Sequence, residues 1–311
     1  VRRMHPFYTI PVALIGEDVA QKRQEVRDYF HNTFDLFEKL FEPLVNDTVF
    51  YQQPEPTRHP IIFYFGHTAA FFINKMVVTG IIKERINPYY ESMFAVGVDE
   101  MVWDDMDECH YTWPSVDEVR VYRKEIRDVV DGLIMTLPLT LPIKEEDPFW
   151  VLLMGIEHER IHIETSSVLH RQLPLECVRP HELFPVCNVV DNASDSSMIP
   201  IKGKVISLGK ERGHHLYGWD NEYGKQTVEV DDFLVSNMLV SNEDFMAFVK
   251  EGGYTNRSYW DEEGLAFLDA HKVTHPPFWV KKEDRFVLRL MLEGIEMPQN
   301  WPVEITYLEA K

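Results

Sequence analysis

The chain has 311 residues, 31 Lys+Arg against 51 Asp+Glu and a formal charge of −20; at about 150 residues per domain it is long enough for about two domains. With 45% hydrophobic and 13% aromatic residues, both have apolar side chains enough for a core, which excludes global disorder. So acidic a chain, with no Lys/Arg run beyond two or three residues, excludes nucleic acid and anionic membranes as expected partners.

Three cysteines (Cys109, Cys177 and Cys187) with no C-x-x-C spacing form no disulfide framework and fit a reducing compartment. No apolar stretch is expected to reach the 18–20 or so residues that span a bilayer. The start, Val1-Arg2-Arg3-Met4, lacks both an initiator Met and the long apolar core of a signal peptide. It reads as a fragment or trimmed chain, with the cytoplasm as expected location.

In chain order, a first helix is predicted over 17–45. Val19, Val26, Phe30, Phe34, Phe37, Phe41 and Leu44 recur on one stripe at three-and-four spacing. A second apolar, Gly-poor helix covers about 60–83. A third starts after Ser115, which forms a capping box with Glu118, and buries Val119, Tyr122, Ile126, Val129 and Leu133. The fourth has Asp147 as N-cap and Pro148 at its first position, and stops before Pro174. Four helices with long connections predict a four-helix bundle over 1–175. Residues 176–198, rich in Pro, Asn, Asp and Ser, read as a linker. Over 199–311 an irregular α+β domain is expected. Val228/Val230 and Phe233/Val235 alternate as in strands, and Ser241 caps a short helix ending at Gly252-Gly253. Trp219, Trp260, Trp279 and Trp301 lie among its turns.

The chemistry concentrates in the fourth helix, at His158-Glu159-Arg160-Ile161-His162. Imidazoles four residues apart project from one helix face about one turn apart, so one helix can chelate one cation. A third ligand has two candidate sources. Downstream, Glu182 lies 20 residues past His162, as in a zinc peptidase with Glu159 as general base, although position 168 is Val where the extended pattern has a third His. Upstream, His67 sits mid-way along the second helix beside the small residues Gly66, Ala69 and Ala70. Three neutral imidazoles leave several positions open and suit Fe(II) with a thiolate and O2. The metal's identity stays open on these residues alone.

Several stretches together resemble the nonheme-iron sulfoxide synthases of thiol-histidine biosynthesis. They are Phe65-Gly66-His67-Thr68-Ala69, Asn87-Pro88-Tyr89-Tyr90-Glu91-Ser92-Met93, Trp113-Pro114-Ser115-Val116, Val121-Tyr122-Arg123 and the His158–His162 motif. Gly218-Trp219-Asp220-Asn221-Glu222 and Phe248-Val249-Lys250-Glu251-Gly252-Gly253-Tyr254 match in the second half. Residues 92–101 and 163–169 look closest to the ovothiol branch, the 5-histidylcysteine sulfoxide synthases. The resemblance implies a DinB-like four-helix bundle followed by a formylglycine-generating-enzyme-like domain with a C-type-lectin-like fold. It also implies His67, His158 and His162 as Fe(II) ligands, and L-histidine, L-cysteine and O2 as substrates of oxidative C–S bond formation. Trp219, Asp220 and Asn221 become candidate substrate contacts.

Two departures accompany it. The ergothioneine branch typically has Gln before the second helix-four His, and here that residue is Ile161. No basic grip for a glutamyl-cysteine carboxylate is evident around 107–113, which points to plain cysteine. The resemblance also places the family's active-site tyrosine beyond Lys311, so the second domain is expected to be incomplete and the chain to keep its metal site but turn over poorly.

Tyr89 and Tyr90 are expected in the core, His214-His215 in an exposed loop, Glu159 as a helix-face or outer-shell carboxylate, and the acidic residues of 99–108 on the surface. The alternatives are an ergothioneine-type synthase, a DinB-like divalent-metal thiol transferase or hydrolase, a zinc peptidase, and a non-catalytic binding module.

Overall fold

The computed structural model describes residues 5–96, 112–187 and 196–311. Expectations for Val1–Met4, Cys109, the acidic residues of 99–108 and part of the linker and of the 92–101 and 107–113 stretches lie outside the described residues. The chain divides into two compact units, one of Val1–Leu183 with Leu208–Gln226, the other of Phe184–Ser207 with Thr227–Lys311.

The first unit is a helical bundle. Helix α1 (Val19–Phe41) starts at Asp18, whose Oδ1 accepts from Gln21 N at 3.0 Å, and stops two residues before Pro43. It is therefore shorter than its apolar pattern. Leu44 is buried beyond its end, while Val19 is 40% exposed on the first turn. Helix α2 (Ile61–Val78) ends where Gly80 takes φ 73°, several residues before the predicted end. Helix α3 (Pro88–Met93) is a short turn capped by Asn87 that apolar periodicity did not reveal. Helix α4 (Val116–Thr136) has the predicted Ser115/Glu118 capping box. Its buried stripe runs through Val119, Tyr122, Ile126, Val130 and Ile134. Consecutive i+4 steps replace Val129 and Leu133, which are half-buried. Helix α5 (Pro148–Gln172) follows Asp147, whose Oδ2 accepts from Lys144 N at 2.8 Å and so stabilises the preceding turn.

Helix α1 packs on α4 and α5, and α2 packs on the same two, so the four long helices form a ring with α1 and α2 on opposite corners. Helix α2 has a span's length and apolarity, contrary to the sequence expectation, and 78% of that stretch is buried inside the structure. A core helix of a bundle passes the same test.

At the α2/α5 seam a Cβ on Gly155 would lie 2.2 Å from a Phe72 ring carbon. Gly155→Ala is therefore expected to lose about 2 kcal/mol in thermal unfolding, because overpacking of up to about 3 kcal/mol outweighs the roughly 1 kcal/mol that alanine gains in a helix. Adding Phe72→Leu restores it. A raised midpoint in the single variant would show slack at this seam.

Residues 208–226, expected in the second domain, pack with the bundle. Leu14 N donates to His215 O at 2.8 Å, Arg212 pairs with Glu145 at 2.7 Å, and the Tyr217 ring lies 4.8 Å from Trp150 of α5.

Among the described residues, the rest of the chain has three small sheets. Strands β1 (Met198–Ile201) and β4 (Phe233–Ser236) pair antiparallel, Met198 opposite Ser236. Strands β2 (Lys204–Leu208) and β3 (Gln226–Val230) form a second pair, and β5 (Trp279–Lys282), β6 (Arg285–Arg289) and β7 (Gly294–Glu296) a third sheet. The predicted strands are present, but Val228 and Val230 are only half-buried and Phe233 and Val235 exposed. The core is aromatic instead: Phe245, Tyr254, Trp260, Leu268, Trp279 and Leu288 cluster between α6 (Asn242–Lys250), α7 (Glu262–His271) and the β5–β6 hairpin. Ser241 caps α6 as predicted, and Gly252 at φ 85° ends it. A final turn, α8 (Tyr307–Ala310), is held by Tyr254 and Glu309.

Candidate metal centre

Helix α5 carries His158 and His162 on the face it turns toward α2, and α2 carries His67 opposite them. All three are buried, and one donor atom from each lies within 4.8 Å of the other two. The His67 and His158 Nε2 atoms are 3.3 Å apart, and ring centroids lie 4.5–4.9 Å from one another. Two nitrogens bound at about 2.1 Å with tetrahedral or octahedral angles sit roughly 3.0–3.4 Å apart, so the observed pair is spaced for one cation.

The donor chemistry also fits. Burial, reinforced by the positive potential of His67, holds His158 and His162 well below the ordinary imidazole range. Both are neutral at pH 7, as a ligand must be. His67 donates Nδ1–H to the carbonyl of Phe94 at 2.6 Å, which fixes its tautomer with Nε2 facing the other imidazoles. Gly66 makes this possible: a Cβ there would lie 2.5 Å from the Phe94 ring. The small residue beside His67 thus admits Phe94 rather than a neighbouring helix. Phe63 stacks on His67 (5.2 Å, 14°) and Phe71 on His158 (3.6 Å, 7°).

Glu159 points elsewhere. Its Oε1 accepts from Arg123 Nη2 at 2.9 Å and from Thr68 Oγ1 at 3.1 Å, all three residues being fully buried. Arg123 Nη1 also donates to Phe65 O (2.9 Å) and Thr68 Oγ1 (2.8 Å), and Nε to Glu38 (3.1 Å). Burial raises the Glu159 carboxyl while Arg123 opposes it. A carboxylate so engaged cannot serve as the base of a zinc peptidase, and Glu182 is exposed in a loop outside the cluster. Arg123 was missed as a core residue. The readable signal was a guanidinium inside the apolar stripe between Tyr122 and Ile126.

Trp219, Asp220 and Asn221 form a turn in the bundle unit, with Trp219 half-buried and Asp220 and Asn221 exposed. Trp219 meets the Tyr217 ring edge-on at 5.5 Å, and its backbone N–H donates to Glu222. Asp220 accepts from Asn221 N. These contacts lead through Tyr217 to Trp150, eight residues and so about 12 Å before His158 along α5. Ile161 is 44% and Tyr89 58% exposed, against a core role for Tyr89, whereas Tyr90 packs on Phe94 and Tyr122. His214 and His215 are exposed, as expected.

Farther along α5, His170 is fully buried edge-on to Phe41 (5.0 Å), and neither ring nitrogen has a hydrogen-bond partner among the described residues. Burial pushes it from 6.5 down to about 3. The unfolded chain takes up this proton as pH falls below 6.5, whereas the folded chain does not until about 3. Its contribution is therefore complete above pH 6.5 and is lost below it by about 1.4 kcal/mol per pH unit. Urea unfolding of His170→Phe between about pH 7 and 5 is expected to show a shallower acid loss by that slope; parallel curves would contradict a neutral His170.

Comparisons with known proteins agree with this architecture. Residues 18–166 match the DinB superfamily and residues 187–311 the sulfatase-modifying factor enzyme 1-like domain. The chain is 26% identical over 217 residues to ergothioneine biosynthesis protein 1 of Neurospora crassa, covering 64% of this chain and 24% of that protein. It is 23% identical over 304 residues to the protein of the same name in Schizosaccharomyces pombe, covering 85% and 36%. Hercynine oxygenase of Mycolicibacterium smegmatis is 23% identical over 282 residues, covering 86% and 59%. The chain thus spans about a quarter to three fifths of the length of these relatives. It is a DinB-like helical domain, with a buried three-histidine cluster, followed by a sulfatase-modifying-factor-like domain.

Proposed function

We propose that the protein is an O2-dependent, nonheme-iron sulfoxide synthase of the ergothioneine type, joining the sulfur of cysteine or a small cysteine-containing thiol to the imidazole carbon of hercynine. The observation that carries it is the convergence of three buried imidazoles from α2 and α5 in a DinB-like bundle. The relatives' names, ergothioneine biosynthesis protein 1 and hercynine oxygenase, support the substrate class. The reaction balances: a C–H and an S–H bond are lost, C–S and S=O bonds form, and O2 accepts four electrons, one oxygen going to the sulfoxide and one to water.

His67, His158 and His162 would hold Fe(II) through Nε2. Bound iron would supply thiolate activation and O2 reduction. The protein's own part is positional. Phe63 and Phe71 hold the His67 and His158 rings, Phe94 O fixes the tautomer of His67, and the buried aromatic wall limits water, which favours coupling over simple thiol oxidation. Trp219, Asp220 and Asn221 are proposed substrate contacts. Asp220→Asn is expected to raise KM severalfold with kcat retained, and unchanged kinetics would remove that assignment.

A second reading, the ovothiol-type reaction of L-cysteine with L-histidine, is favoured by Ile161, which supplies no amide where the ergothioneine branch typically has Gln. The iron-loaded protein is tested with hercynine or L-histidine, each with cysteine or glutamyl-cysteine, following O2 uptake and product mass. Sulfoxide from hercynine supports the first reading, and sulfoxide from histidine alone replaces it with the second. Thiol transfer that persists without O2 would overturn both.

A further inference from the structure

Beyond His162 the same face of α5 continues with Ser166 and His170, at consecutive four-residue steps. All three side chains are buried, and His162 Nδ1, Ser166 Oγ and both His170 nitrogens have no hydrogen-bond partner among the described residues. Helical side chains lean toward the N-terminus. Ser166 therefore leans over the turn of His162, and His170 over that of Ser166. The capacities are complementary: a donor at His162 Nδ1 once Nε2 faces a metal, donor and acceptor at the Ser166 hydroxyl, and one of each on neutral His170. A polar strip of this kind is the setting in which proteins hold internal water with about three partners. A ligating imidazole almost always gives its outer N–H to an acceptor or to water, as His67 does to Phe94.

We propose that Ser166 and His170 hold internal water that accepts the Nδ1–H of His162, making Ser166 a positioning residue for that ligand. The inference rests on the metal-site reading above. The test is anaerobic Co(II) titration of the whole chain, with Co(II) absorption and apo-protein thermal unfolding as separate readouts. If the wild-type chain fails to take up Co(II), the metal site itself is refuted. If it binds, Ser166→Ala is expected to weaken Co(II) binding about 10-fold or more and shift its absorption bands, with the apo midpoint little changed. Ser166→Thr, which keeps the hydroxyl, is expected to retain wild-type affinity. Wild-type affinity and spectrum in Ser166→Ala would overturn the proposal while leaving the metal site intact. So would a crystal structure of the metal-loaded protein showing only carbon atoms against Ser166 Oγ, whereas ordered water there would support it.

Discussion

His67→Ala is expected to weaken metal binding by more than about a hundredfold, since it removes a ligand rather than a group supporting one, and to abolish substrate-dependent O2 uptake. The bundle is expected to persist at a lower thermal midpoint. His67 is one imidazole among the large apolar side chains of α2, but its loss leaves Phe94 O without its buried donor, a cost of about 1–3 kcal/mol. Equilibrium dialysis with metal analysis checks the first claim and thermal unfolding of the apo protein the second. Full iron occupancy in the variant would sink the three-histidine reading, and retained peptidase activity would revive the H-E-x-x-H one.

Glu159→Leu is expected to cost about 3–5 kcal/mol. It strips Arg123 of its buried counter-charge, and a guanidinium cannot shed its proton to escape. Glu38 remains as a partner, 38% exposed in its side chain, which keeps the loss within that range. The rings of Phe34, Phe37 and Phe65 lie 4.3–5.1 Å from the guanidinium carbon and cannot replace a carboxylate. Combining Arg123→Met with Glu159→Leu is expected to recover much of the loss, as apolar replacements of buried ion pairs often do. Urea unfolding of the two single variants and the double variant measures the coupling. A Glu159→Leu chain as stable as wild type would mean the pair is not sealed from water.

Helix α4 shows how far sequence pattern reaches. Ser115 and Glu118 announced its start, because a capping box is a local exchange of hydrogen bonds. Its buried stripe drifted from Val129 and Leu133 to Val130 and Ile134, because neighbouring helices, not α4 alone, decide which flank is covered. Arg123 escaped notice since its four partners, Glu38, Phe65, Thr68 and Glu159, come from α1, α2 and α5. His158 and His162 were legible as a pair from spacing, and His67 joined them through resemblance and bundle logic. The Phe94 carbonyl that orients His67 was invisible, because a backbone group carries no residue signature. The second domain was legible in its Ser241 cap and strand positions, while its core of scattered Trp, Tyr and Phe has no period to read.

The aromatic slabs flanking the imidazoles have a kinetic consequence. With Phe63 lying along His67 and Phe71 along His158, neither ring can turn over without displacing a packed neighbour. The donors stand in their coordinating attitude before any ion arrives, so capture incurs little reorganisation entropy. Loading is then expected to be paced by passage of a hydrated cation through the bundle wall, and release to be correspondingly slow.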